Sequence, residues 1–254
     1  MKVLSFDTSD HLVQVSLFDQ GKLCAESSTE GVAANRKDVG SLLMPEIDAL
    51  VKKAGFKKNE LELIVVGTGP GSFTGIRVAA ITARTLAQSL AIPLVGVNSL
   101  EARAQILDLS QPAATILAAS PGHYFYAAYK TSPERPADAV VEPRFDALLE
   151  MQSRLAHVKN WFADEKSLAE LKDALPSGMT PALKPLVRPA NLATAQSQLA
   201  LSRLFLNGSC TKDQLPQDFA ESFAWFKVVP LYLRSPSVTL KKPHGNTDQA
   251  HGDR

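Results

Sequence analysis

Residues 12–18 alternate, with Val13, Val15 and Leu17 on one side and Gln14 and Ser16 on the other. That period of two predicts a half-buried β-strand. A short strand over 2–6 precedes it, and Gln20-Gly21 turns the chain back into a third strand over 22–26. The period then lengthens. Val39, Leu42, Leu43, Ile47, Leu50, Val51 and Ala54 form a helical stripe over 39–54, with Asp38 as candidate N-cap and Gly55 as stop. Pro45 argues for a start nearer Leu43. The apolar run 63–66 reads as a strand buried on both faces, parallel to its neighbours, and 93–97 repeats it. Between them, Ile76, Ala79, Ala80, Ala83, Leu86, Ala87 and Leu90 cover one face of a helix over 76–90. Arg77, Thr82, Arg84, Thr85, Gln88 and Ser89 occupy the other, where Val78 and Ile81 intrude.

Past residue 111 the pattern returns in weaker form. Segments 113–119 and 124–129 read as paired strands around Ser120-Pro121-Gly122, with the aromatics of 123–126 facing outward. Residues 145–155 read as helix, 159–163 as strand and 168–175 as helix. Residues 176–189 read as proline-rich connection and 192–206 as an amphipathic helix. Strand–strand–strand–helix–strand–helix thus occurs once in full and once more faintly. The expected class is α/β, with mixed sheets and helices in two related lobes. The expected organisation is an N-terminal lobe over 1–103 that carries the partner-binding surface. A C-terminal lobe follows over 104–240, its last segment packing back on the first, and then a polar disordered tail over 241–254.

With 254 residues, 45% of them hydrophobic, the chain is large enough for two such lobes. A formal net charge of +1 argues against an all-over polyanion-binding surface, so nucleic-acid contact needs a local patch or a partner. Cys24 and Cys210 form no CxxC pair and no two histidines stand at helical i, i+4 spacing, so no metal site is expected. The opening MKVLSFDTSD lacks a signal-type leader, and no apolar run reaches membrane-spanning length. A cytoplasmic protein with no membrane contact is expected.

Candidate chemistry centres on GTGPGSFTGIR, residues 67–77. A Walker loop needs Lys-Ser/Thr after its last glycine, and here Gly75 is followed by Ile76 and Arg77. A dinucleotide fingerprint fails because Ser72 takes the place of its third glycine. Gly67, Gly69, Pro70, Gly71, Ser72, Phe73, Thr74, Gly75 and Arg77 therefore read as a structural loop that turns a strand into a helix, with Thr74 as N-cap. Asp7, Thr8 and Ser9 are a weaker phosphate candidate. Turn capping by Asp7 is the favoured alternative. Ser72 has no apparent His or Asp partner and is not read as a nucleophile. Val78 and Ile81, with Thr82, Thr85 and part of the first helix (Val39, Leu43), are the candidate partner interface.

GTGPGSFTGIRVAAITARTLA followed by IPLVGVNSLEA resembles the bacterial TsaB (YeaZ) family. VLSFDTSDHLVQVSLFDQGKL is similar to that family's first hairpin, LLMPEIDALVKKAG to its first helix, and Pro230-Leu231-Tyr232-Leu233-Arg234 to its C-terminal P-x-Y-L-R. The serine and phenylalanine of GPGSFTG point to TsaB rather than its paralogue TsaD. The resemblance covers 1–103 densely and the rest sparsely. It implies an actin-like, Hsp70-like fold of two lobes without catalysis of its own. It also implies pairing with TsaD through the N-terminal lobes, joined by the small ATPase TsaE, to make threonylcarbamoyladenosine next to the tRNA anticodon. This chain would then hold no cofactor itself, with ATP or ADP at the complex interface left open. It would touch tRNA indirectly and could form a homodimer when alone. The sequence departs from the family where Arg36-Lys37-Asp38 replaces a histidine-bearing segment, and where Ser120-Pro121-Gly122 replaces an Asp-Ala-Arg-type start. The competing reading is a small actin-fold ATPase or kinase using Asp7 and the glycine loop.

Overall fold

Apolar β-formers at the N-terminus build the first sheet. In the computed structural model, which describes residues 1–10, 12–30, 39–107, 111–132, 135–175, 182–186, 191–206 and 223–233, β1 (Lys2–Asp7) pairs antiparallel with β2 (Leu12–Asp19). Gln20 and Gly21, both at positive φ, turn β2 into β3 (Lys22–Glu30), the conformation a tight two-residue hairpin demands. On the other side of β1, β4 (Leu63–Gly67) and β5 (Leu94–Val97) add in parallel, giving the order β3-β2-β1-β4-β5.

α1 (Val39–Lys53) and α2 (Phe73–Leu90) cover one face of this sheet. Leu43, Ile47, Leu50 and Val51 from α1, with Ala79, Ala83 and Ala87 from α2, pack on Phe6, Val13, Val15, Ile64 and Val66. The small alanines let α2 sit close to the strands. α1 begins at Val39 with Pro45 inside it, earlier than the proline suggested. Pro45 cannot donate to the carbonyl four residues back, and packing of the stripe offsets that one lost bond. Asp38, the candidate cap, lies outside the described residues. Gly55 ends the helix at positive φ.

The second half repeats the plan. β6 (Ala113–Ser120), β7 (His123–Ser132) and β8 (Arg135–Ala147) are antiparallel neighbours, and β9 (Asn160–Ala163) and β10 (Ala182–Pro185) add in parallel beyond β6. The order β10-β9-β6-β7-β8 is that of the first sheet read in reverse. Two strands differ from expectation. Phe145 belongs to β8, so α4 starts only at Leu148 and runs Leu148–Arg154, and β10 lies in what read as connection. Both are edge strands, where Pro143 and Pro185 are tolerated because the outer N–H row has no partner to lose. Tyr124 and Tyr126 face inward rather than outward, against Met151, Leu155 and Trp161 beneath α4 and α5 (Glu165–Ala174). Their hydroxyls donate to Glu170 at 3.1 Å and Asp146 at 2.6 Å. Burial together with the Glu170 carboxylate pushes the Tyr124 phenol up to about 12.

The halves are joined by exchanged helices. α3 (Ser99–Gln105), which follows β5, packs Leu100 and Ala104 on the second sheet, whereas α6 (Leu192–Leu206), which follows β10, packs Leu192, Ala195, Leu199 and Leu204 on the first. α6 is buried almost all round, including Gln196 and Ser197, so it is not the amphipathic helix its sequence suggested. Its presence also buries Gln14 and Ser16, making β2 buried on both faces. Gln14 Oε1 accepts the Leu192 N–H. Glu101 on α3 pairs with Arg203 on α6. Burial raises the Glu101 carboxyl against the pull of that guanidinium.

A final segment, 223–233, runs along the outer edge of the first sheet. The Leu94 N–H donates to the Phe223 carbonyl and the Leu231 N–H to that of Thr68. Among the described residues no helix is long and apolar enough to cross a membrane. The tail 241–254 lies outside them.

Candidate functional site

The glycine loop is spent on the protein's own backbone. β1 ends at Asp7, and the following turn docks onto the loop between β4 and α2. Thr8 Oγ1 donates to the Gly75 carbonyl at 2.6 Å, and the Ser72 N–H donates to the Ser9 carbonyl at 2.6 Å. A Cβ on Gly75 would run into the Thr8 carbonyl oxygen, and one on Gly71 into that of Ser9. Only glycine permits this backbone-on-backbone approach. The N-cap of α2 is Ser72, whose Oγ accepts the Gly75 N–H at 3.2 Å, not Thr74. α2 starts one residue earlier than Thr74, so the hydroxyl three positions ahead of the Gly75 N–H makes the cap.

Asp7 is 1% exposed. Its Oδ1 accepts from the Ser9 N–H (2.7 Å) and Ser9 Oγ (2.6 Å), and its Oδ2 from Ser99 Oγ (3.0 Å) and Gln196 Nε2 (2.6 Å). A carboxylate offers about four lone-pair sites, and these donors fill them. Gly67 lies under the carboxylate, where a side chain would collide with it. Ser99 and Gln196 come from α3 and α6, 92 and 189 positions away in sequence. No local pattern announces residues that meet at such a distance.

The outer face of α2 has a different character. At about 100° per residue, Thr74, Ile81 and Thr85 share the side turned from the sheet, and all three are exposed, Ile81 by 65%. Val78 and Thr82 are half-buried. Val39 and Val78 also pack against the core. Leu43 is 0% exposed and belongs to that core rather than to a surface, because its place in the stripe with Ile47 and Leu50 turns it inward. The apolar contribution of α1 to the surface is instead Met44, 42% exposed. It was legible as the residue one helical step off the stripe. The other flank of α2 is strapped by the C-terminal segment. Arg77 lies over the Phe73 ring at 4.3 Å and donates from Nε to Tyr232 Oη at 3.1 Å, while Arg84 lies over Trp225 at 5.4 Å.

Between the halves lies a cleft of about 1270 Å³, bordered by Ser9, Asp10 and Phe73 on one side and by Leu117, Asp164 and Lys166 on the other. Asp164 caps α5 through the Ser167 N–H at 2.8 Å and also accepts the Ala118 N–H. The β6–β7 turn carries Pro121 and Gly122 but no carboxylate, and the adjacent His123 ring stacks on Phe145. Among the described residues no three His, Cys, Asp or Glu side chains converge on a metal position.

A family model described as TsaD, tRNA N6-adenosine threonylcarbamoyltransferase, matches residues 34–224. The tRNA threonylcarbamoyladenosine biosynthesis protein TsaB of Bacillus subtilis (strain 168) is 36% identical over 101 residues, 40% of this chain and 42% of that protein. The protein of the same name from Haemophilus influenzae is 32% identical over 119 residues, 47% of this chain and 48% of its own. The chain thus spans about half the length of the curated relatives it matches. In three dimensions, an uncharacterized Pseudomonas aeruginosa protein with similarity to peptidase YEAZ superposes with a TM-score of 0.67 at 20% identity, covering 92% of this chain and 99% of that one. YeaZ from the same organism gives 0.61 at 20%, covering 85% and 98%. At that identity the likeness is one of fold, the actin-like arrangement of two sheets. The family match carries the resemblance past residue 103 into the second half, and the chain belongs to the family that model describes, as a TsaB (YeaZ) member.

Proposed function

We propose that this chain is a non-catalytic partner subunit. It binds a TsaD-like threonylcarbamoyltransferase through the outer face of α2 and the adjoining edge of α1, and makes that enzyme competent to form threonylcarbamoyladenosine beside the tRNA anticodon. The observation that carries this reading is Ile81, 65% exposed at the centre of a threonine-ringed face. A branched apolar side chain held in water gains stability once it is covered, and a docked partner would cover it. Asp7 adds support, since its oxygens are taken by donors of this chain, and the ATPase reading needs that carboxylate free for a ligand. A TsaE-like ATPase joins the pair, tRNA is met through the complex, and this chain supplies no cofactor of its own.

The test is a threonylcarbamoylation assay on tRNA with this chain alone, the TsaD-like enzyme alone, and both. The reading expects turnover only with both, together with their co-purification. Modification by this chain unaided contradicts it, and ATP hydrolysis abolished by Asp7→Asn would favour the small ATPase instead.

A further inference from the structure

We infer that the strap 223–233, with the flank of α2 that it covers, is a contact surface for RNA, which this chain touches directly inside the complex. The identity of the polyanion rests on the function proposed above, which brings tRNA to the pair. The surface itself does not. Between Glu62 and Glu101 the sequence carries no carboxylate, and it carries none within 223–233. The charged residues of these two stretches are Arg77, Arg84 and Lys227, all cationic. A chain of net charge +1 thus gathers positive charge here, the local patch that contact with a polyanion needs. Among the described residues neither arginine pairs with a carboxylate. The sequence past the strap, 234–247, adds Arg234, Lys241 and Lys242 and again no carboxylate, so it continues the same sign.

Aromatic rings are interleaved with these cations. Arg77 lies 4.3 Å from the Phe73 ring centroid and 5.8 Å from that of Tyr232, and Arg84 lies 5.4 Å from that of Trp225. Trp225 meets Phe226 edge-on, with centroids 5.7 Å apart. Phe226 is 57% exposed and Tyr232 46%. A guanidinium stacked on a ring keeps N–H donors at its edge for phosphate oxygens, and an exposed ring offers a platform for a base. Cations alone suit any polyanion. Cations alternating with open rings suit unpaired bases, so the expected ligand is looped or single-stranded RNA rather than a duplex. Phe73 and Tyr232 also border the cleft, which holds Asp10, Asp164 and Glu165. Those carboxylates repel phosphate at that end, which centres the contact on Arg84, Trp225 and Phe226.

Fluorescence anisotropy of a labelled tRNA anticodon stem-loop, titrated with the complex of this chain and the TsaD-like enzyme, tests the inference. The affinity of the two proteins for each other is recorded for each variant. Arg84→Gln is expected to make the fall of log affinity with log salt shallower by about 0.7, the loss of one single-strand phosphate contact. Phe226→Ala is expected to weaken stem-loop binding at least about fivefold. Neither variant is expected to alter the affinity between the proteins. RNA binding unchanged in either variant overturns the inference. So does a loss of affinity between the proteins, which would make the stripe a protein contact. If the two proteins do not associate at all, the proposed function fails, and the same titration of this chain alone at low salt still decides. Binding weakened by both substitutions then supports the RNA surface, and no binding, or binding that neither substitution changes, overturns it.

Discussion

At the β1–β2 corner, Asp7 is held by donors from its own turn, from α3 and from α6, and the backbone of the turn lies against the glycine loop. At the β6–β7 corner, which holds the equivalent place in the second sheet, Pro121 and Gly122 form an open turn, and a Cβ on Gly122 would meet nothing within 4 Å. Two sheets with one strand order therefore carry unlike corners. The difference shows that a repeated backbone plan does not require repeated chemistry. The first corner has become a hub that ties the two halves together, and the second is free. With the first corner closed on itself, the proposed partner surface of the N-terminal half is the far side of α2.

The largest effect that could break this contrast is steric. Gly75→Ala drives a methyl into the Thr8 carbonyl and should cost about 3 kcal/mol or more in urea unfolding. Gly122→Ala, strained only by its φ of +70°, should cost about 1 kcal/mol. Equal losses would mean the corners are packed alike. Asp7→Ala leaves the Ser9, Ser99 and Gln196 donors without their acceptor and should lower stability by about 2–3 kcal/mol in the same measurement. A change within error would show that the hub holds nothing together. Tyr232→Ala removes a ring 5.5 Å from Phe73 and the acceptor of Arg77. It should cost about 1 kcal/mol and raise amide exchange along 223–233. An unchanged exchange pattern there would mean the strap is held elsewhere.

The hub and the outward face were not equally legible in the sequence. The 3.6-residue rhythm of α2 exposed Ile81 directly, since an isoleucine among Arg77, Thr85 and Gln88 breaks the pattern. Leu43 was assigned to the interface although the stripe of α1 carries it, because Val39 and Leu43 lie on one stripe and only the sheet beneath decides how deep each sits. Thr74 read as the N-cap, but α2 starts at Phe73 and Ser72 makes the cap. β8 and β10 were hidden by Pro143 and Pro185, which sit in edge strands where the penalty is small. The hub was least visible. Asp7 stood out, but Ser99 and Gln196 are ordinary polar residues in helical segments, and only the exchange of α3 and α6 between the sheets brings them to it. Gln196 lies in the segment 192–206 that read as an amphipathic helix, and burial in the fold overrode that pattern.

The central claim is that the chain acts through the outer face of α2, and Ile81→Asp addresses it most directly. Titration of this variant against a TsaD-like enzyme, with its melting temperature recorded alongside, should show affinity falling at least about thirtyfold. Ile81 faces water in the free chain, so the melting temperature should not change. Affinity equal to that of the unaltered chain, with the fold intact, would contradict the account.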